Sequence, residues 1–117
     1  MSRIISIKKF KDHRGMLSVI EKEIPFKVKR VFVLSDLKKK TRGGHAHKKT
    51  KLALLAVNGS CDVVIKKLKK KKIFKLNKPN KILYIKPNDW HELNNFKKNV
   101  AIIVLASDYF NKKDYVY

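Results

Sequence analysis

The sequence predicts an all-β protein, an antiparallel sandwich or small barrel, and three observations carry that expectation. Short runs of β-branched and aromatic residues recur along the whole chain. Turn signals separate them at intervals of roughly eight to twelve residues. Nothing sustains a helical period beyond an alternative reading of residues 66–76 and the tail "FNKKDYVY". At 117 residues the chain fits a single domain, residues 1–117, around one modest core.

The first two strand signals, "RIISIKK" and "LSVIEK", flank the turn-like "KDHRG". The breaker "IPF" then leads into "KVKRVFVLSD", whose apolar and polar residues roughly alternate. "LALLAVNGSCDVVIKK" has the form of a hairpin, because Asn58 and Gly59 tolerate the positive φ of a tight turn. In residues 66–76, Ile65, Leu68, Ile73 and Leu76 also fit an amphipathic helix, but "VVIKK" and "KKIFKL" followed by Asn-Lys-Pro-Asn favour a second hairpin. "KILYIKP", "WHEL" and "VAIIVLASD" complete the strand series.

Composition narrows the class further. No apolar run approaches the ~18 residues of a membrane helix, and the N-terminus alternates apolar and basic residues instead of forming a signal peptide. A soluble, cytoplasmic protein with no membrane partner is the expectation. The lone Cys61 fits a reduced, buried thiol. The net charge of +21 raises nucleic acid as a partner, yet only four of the 30 basic residues are Arg (Arg3, Arg14, Arg30 and Arg42). Arginine supplies the bidentate fork of base and phosphate readers, so the lysines read as solvated faces and turns, not as a nucleic-acid surface.

The chemistry concentrates in "TRGGHAHKK". Residues two apart on a strand share a face, so His45 and His47 are presented together and Ala46 turns away. Three readings follow: half of a metal site, a proton-transfer pair, or two polar residues on an outer face. A third histidine, His91, follows the proline-led turn Pro87-Asn88-Asp89-Trp90.

Gly43, His45, His47, Gly59, Pro87, His91 and Asn95 together resemble the signature of the cupin superfamily. That resemblance implies a small antiparallel β-barrel, a double-stranded β-helix of jelly-roll type, with these residues around one cavity. Metal-binding cupins place an acidic residue about four positions after the second histidine, where this chain has Lys51. A cation there opposes a divalent ion, so no metal is expected.

Four longer stretches, "DHRGMLSVIEKEIPFKVKRVFVL", "RGGHAHKKTKLALLAVNGSCDVVI", "PNKILYIKPNDWHELNNF" and "VLASDYFNKKDY", resemble the nucleotide-linked 4-keto-6-deoxy-sugar 3,4-ketoisomerases, the FdtA/QdtA-type, WxcM-like cupins. The resemblance implies a homodimeric single-domain isomerase acting on a dTDP-4-keto-6-deoxyhexose, without cofactor, in the making of bacterial surface polysaccharide. It places His45 and His47 on the catalytic pair, of which His47 is taken as the main acid/base and His45 as its partner, although the sequence does not separate the two roles. Imidazole suits that task, since its reference pKa near ~6.5 allows proton uptake and return at neutral pH. Arg14 and Arg42 are matched to the diphosphate, and Tyr84, Trp90 and His91 to the walls of the sugar pocket.

Two departures stand out. The family commonly carries a tyrosine in the strand where this chain has Phe32 and Val33, and an arginine where it has Val116. Glu21 is compatible with either a surface position or a place behind the histidines, whereas Glu92 must point away from His91's face. A 3,5-epimerase of the same fold and a non-catalytic cupin binding a sugar or polyanion are the competing readings.

Overall fold

The computed structural model describes residues 2–117. The chain enters through β1 (Arg3–Ser6), forms a hairpin from β2 (Lys8–Asp12) and β3 (Gly15–Val19), and crosses to β4 (Arg30–Leu34) and β5 (Arg42–His47). β6 (Leu52–Val57), β7 (Ser60–Lys67), β8 (Lys70–Leu76) and β9 (Lys81–Ile85) follow. β10 (Trp90–Lys97), β11 (Ala101–Ala106), a 3-10 turn at Lys112–Asp114 and β12 (Tyr115–Val116) complete the chain. The tail read as a possible helix is therefore one tight turn and a short strand.

Two five-stranded antiparallel sheets result, ordered β1-β9-β6-β11-β4 and β12-β5-β10-β7-β8, with β2 and β3 paired apart from both. The all-β, jelly-roll-like expectation holds, but hydrogen bonding does not close the sheets into a ring. The molecule is an open sandwich in place of the expected barrel.

The apolar pattern explains how the sheets meet. Leu52, Leu54 and Ala56 of β6 face Val63 and Ile65 of β7, Leu93 of β10, and Ile102 and Val104 of β11 in the main core. The alternate residues Ala53 and Leu55 join Ile7 and Ile82 in a second cluster on the outer face, covered by Ile24 and Phe26. With both faces covered, β6 can be apolar at every position. Cys61 is buried in the main core, and burial pushes its thiol up to about 12. It is an inert core residue.

One turn departs from expectation. Asn58 and Gly59 do not close a hairpin, because β6 pairs with β9 and β11 whereas β7 pairs with β8 and β10. They form a corner that carries the chain from one sheet to the other. Positive φ is still required, at 59° for Asn58 and 114° for Gly59, and a Cβ on Gly59 would stand 2.2 Å from the Lys97 carbonyl oxygen. Asn-Gly reports the backbone conformation of a turn and not which strands it joins. The hairpin over residues 60–76 is present, with Lys67 opposite Lys70 across Leu68 and Lys69.

Candidate active site

His45 and His47 end β5, and its neighbour β10 brings His91 directly opposite His45. Between these strands the register slips where Glu92 pairs with Gly43, leaving Gly44 as the extra residue of a bulge. Gly43 has φ 83°, and a Cβ there would lie 3.0 Å from the His91 carbonyl oxygen. Its missing side chain lets the two histidine-bearing strands approach this closely.

The three imidazoles form a cluster. Ring centres lie 5.0 Å apart for His45 and His47, 4.9 Å for His45 and His91, and 5.8 Å for His47 and His91. His47 and His91 are buried and His45 is half-buried. They share a cavity of about 160 Å³ walled by Arg30, Phe32, Arg42 and Tyr115, with Leu54 and Leu93 at its apolar base.

His47 is held by the tail. Its Nδ1 stands 3.0 Å from Asp114 Oδ2, and that carboxylate also accepts from Thr50 Oγ1 at 2.5 Å and from the Lys49 amide at 2.7 Å. Burial alone would raise the Asp114 carboxyl, but these hydrogen bonds outweigh it and keep it below the usual carboxylate value. An ionised carboxylate only accepts, so Nδ1 of His47 donates, and the lone pair of a neutral ring resides on Nε2. Tyr115 closes the site, its ring centre 4.7 Å from His45 and 4.6 Å from His47.

All three histidines are displaced toward the neutral form. Burial lowers His45, with the neighbouring His47 adding to it. Burial also lowers His47, opposed by Asp114 and reinforced by the charge of Arg30. His91, the most enclosed, is pushed down to about 3, chiefly by burial. Neutral imidazoles accept protons, so the site is equipped for proton transfer at neutral pH.

One ligand nitrogen from each of His45, His47 and His91 lies within 4.8 Å of the others, which satisfies the geometry of a three-histidine metal site. The charges around it do not suit a divalent ion. Two guanidinium groups, of Arg30 and Arg42, line the same cavity. Lys51 points elsewhere and is tied through its amide to Ser107 Oγ at 2.8 Å.

Of the residues singled out in the sequence, His45, His47, His91 and Arg42 come together here, whereas Tyr84, Trp90, Arg14 and Glu21 do not. Tyr84 packs on the outer face of its sheet against Phe26, 6.1 Å between ring centres, beneath the Arg3 guanidinium. Its parity on β9 is opposite to that of Leu83 and Ile85, which face the main core. Trp90 precedes His91 and so takes the other face of β10, with Lys66 Nζ 4.7 Å over its ring. Arg14 lies at the tip of the β2–β3 hairpin, paired with Asp12 at 2.6 Å and largely exposed. Glu21 is exposed, with its amide bonded to Glu23, and is not behind the histidines.

Sequence reasoning missed Arg30, Tyr115 and Asp114. For Arg30 a signal existed, because it shares parity with Phe32 and Leu34. For Asp114 and Tyr115 no periodicity existed to read, since a single 3-10 turn and a two-residue strand position them.

Comparison with known proteins agrees with this geometry. Residues 1–117 match the family described as FdtA: WxcM-like, C-terminal. The TDP-4-oxo-6-deoxy-alpha-D-glucose-3,4-oxoisomerase of Aneurinibacillus thermoaerophilus is 41% identical over 118 residues, covering 98% of this chain and 85% of that protein. The structure of QdtA, a sugar 3,4-ketoisomerase from Thermoanaerobacterium thermosaccharolyticum in complex with TDP, superposes with a TM-score of 0.95 at 38% identity, covering 98% of this chain and 86% of that one. A 3,4-ketoisomerase from Helicobacter canadensis superposes with a TM-score of 0.93 at 38% identity, over 98% and 89% of the two chains. A histidine cluster in a sandwich of this topology, matched along the whole sequence, places the chain in the FdtA (WxcM-like, C-terminal) family.

Proposed function

We propose that the protein is a 3,4-ketoisomerase of a TDP-linked 4-keto-6-deoxyhexose, with His47 as the principal acid/base and His45 beside it. The observation that carries the reading is the buried His47, oriented by Asp114 so that one free ring nitrogen meets the cavity it shares with His45.

The reaction needs only proton movement. A base removes the proton from carbon 3, and the electron pair of that C–H bond becomes the C3–C4 double bond of an enediolate. Return of a proton to carbon 4, with transfer of the hydroxyl proton from the carbon 3 oxygen to the carbon 4 oxygen, leaves the carbonyl at carbon 3 and a hydroxyl at carbon 4. No electron enters or leaves. A neutral imidazole at His47 takes the first proton, and the imidazolium so formed is stabilised by the Asp114 carboxylate beneath it. His45, at the cavity mouth side of the pair, is the partner through which a proton returns. Arg42, exposed at the rim, meets the diphosphate outside the sugar pocket.

The homodimer belongs to this reading as well. Phe10, Met16 and Leu17 of the β2–β3 hairpin and Val31 and Val33 of the edge strand β4 are all exposed, and a second copy would cover them. Such a pairing would also bring Arg14, at the tip of that hairpin, toward the substrate of the second copy. A cytoplasmic enzyme in surface-polysaccharide synthesis fits the reduced Cys61, and none of the described helices is long and apolar enough to cross a membrane.

Incubation with TDP-4-keto-6-deoxyglucose in deuterium oxide, followed by proton NMR, tests the activity. A 3-keto product carrying deuterium at carbon 4 is expected. A retained 4-keto group with deuterium at carbons 3 and 5 identifies an epimerase instead.

A further inference from the structure

Arg30 enters the histidine cavity without a partner of opposite charge among the described residues. On β4 it turns inward with Phe32 and Leu34, while Val31 and Val33 face solvent. Its guanidinium carbon lies 5.0 Å over the ring of Phe32 and 5.9 Å from the ring centre of Phe110. Nε is buried and has no hydrogen-bond partner among the described residues. None of the ion pairs among them includes Arg30. The carboxylate behind His47 is already engaged by Thr50, Lys49 and His47. A half-buried guanidinium whose buried Nε lacks a partner is costly to maintain, and aromatic faces fix its position without neutralising it.

The missing counter-charge must come from the ligand, and the cavity indicates which part. Its volume of about 160 Å³ takes one sugar ring and leaves the nucleotide diphosphate outside. A neutral keto sugar brings no charge to this space. Removal of the carbon 3 proton creates one on the carbon 4 oxygen, and it passes to the carbon 3 oxygen as the hydroxyl proton moves between them. Those oxygens on adjacent carbons match the planar donor fork of a guanidinium.

We propose that Arg30 is a catalytic residue whose guanidinium binds the two enediolate oxygens, supplying in this chain the electrophilic stabilisation for which Phe32 leaves no strand hydroxyl. The inference rests on the ketoisomerase reading. It separates the two arginines of the cavity by task, with Arg42 holding the diphosphate in every state and Arg30 acting on charge present only during reaction. Binding stronger in the transition state than in the ground state raises kcat without tightening substrate. The proximity of Arg30 to His47 is consistent, because its charge opposes protonation of that ring.

The test compares Arg30→Met, Arg30→Gln and Arg30→Lys with the wild type in kcat, KM, TDP affinity by calorimetry and the His47 titration by NMR. Arg30→Met is expected to lower kcat about 10²- to 10³-fold, the loss typical of one oxyanion donor, with TDP affinity within about threefold. Arg30→Lys, which keeps charge but loses the fork, should fall between. The His47 titration should move upward in Arg30→Met and Arg30→Gln and stay in place in Arg30→Lys. A drop in TDP affinity with unchanged turnover of bound substrate makes Arg30 a diphosphate anchor and overturns the proposal, as does an unchanged kcat in all three variants. If Arg30→Met does not fold, Arg30→Lys decides alone: full kcat overturns, reduced kcat at wild-type TDP affinity supports. Failure of the ketoisomerase reading is visible separately, since the wild type itself would then yield no 3-keto product, and the proposal falls with it.

Discussion

Asp114 accepts a hydrogen bond from Nδ1 of His47 at 3.0 Å, although 67 positions separate the two residues in sequence. This contact sets the ring's tautomer and supports its basicity, which gives the first prediction. Asp114→Asn keeps the volume but removes the charge. It should lower kcat roughly 10²-fold, the scale of general acid–base catalysis. Because the carboxylate raises His47 against burial, its loss should also shift the acid limb of the pH–rate profile to lower pH. A kcat loss with an unmoved limb would make Asp114 a structural tie only.

In the wild type the acid limb of kcat/KM should lie below the ordinary histidine value of ~6.5, since His45 and His47 are both lowered in the fold. Activity is full above that range and falls as the base is protonated. A rate profile from pH 4 to 9 measures it, and an inflection above 7 would contradict the burial of these rings.

The same titrations make stability depend on pH. Burial pushes His91 down to about 3, so between pH 6.5 and 3 the unfolded chain holds a proton that the fold does not. Stability therefore falls with decreasing pH in that window, by about 1.4 kcal/mol per pH unit for one such group. Urea denaturation at pH 7 and pH 5 should show the slope, and His91→Gln should reduce it, leaving the part due to His45 and His47.

Two glycines should respond differently to alanine. A Cβ on Gly44 meets nothing within 4 Å, so Gly44→Ala bears only the strain of φ 79°, about 1–2 kcal/mol. At Gly59 the added carbon would lie 2.2 Å from backbone oxygen at φ 114°. A loss of about 3 kcal/mol or more is expected there. Equal losses in denaturant would mean that the sheet-to-sheet corner at residues 58–59 relaxes freely.

Chelation provides the last test. With Arg30 and Arg42 lining the histidine cavity, turnover should be unchanged by EDTA. Activity lost to the chelator and restored by a divalent ion would instead assign the three nitrogens to a metal.

Much of this was legible in the residues, for identifiable reasons. Period-2 spacing placed His45 and His47 on one face, and β-branched runs with turn signals marked the sandwich. The 60–76 hairpin is legible because Ile65 ends one strand-like run and Asn-Lys-Pro-Asn after Leu76 marks a further turn. Strand partnership was not legible, which is why Asn58-Gly59 was taken for a hairpin. Nor was the side of the sheet that Tyr84 occupies, because β9 is apolar at four consecutive positions and covered on both faces. Asp114 depends on a contact between distant segments that no local pattern encodes.

Tyr115 pairs with His47 and Val116 with Ala46, and these two residues are the whole of β12. The segment that completes the histidine site is thus fastened by the smallest ladder among the described residues, whereas β7 and β10 are joined over most of their length. Elements with few backbone bonds open at lower free energy than the core. On warming, the enzyme should accordingly fall silent while its sandwich is still intact, and reversibly so, with the loss of rate preceding the calorimetric transition.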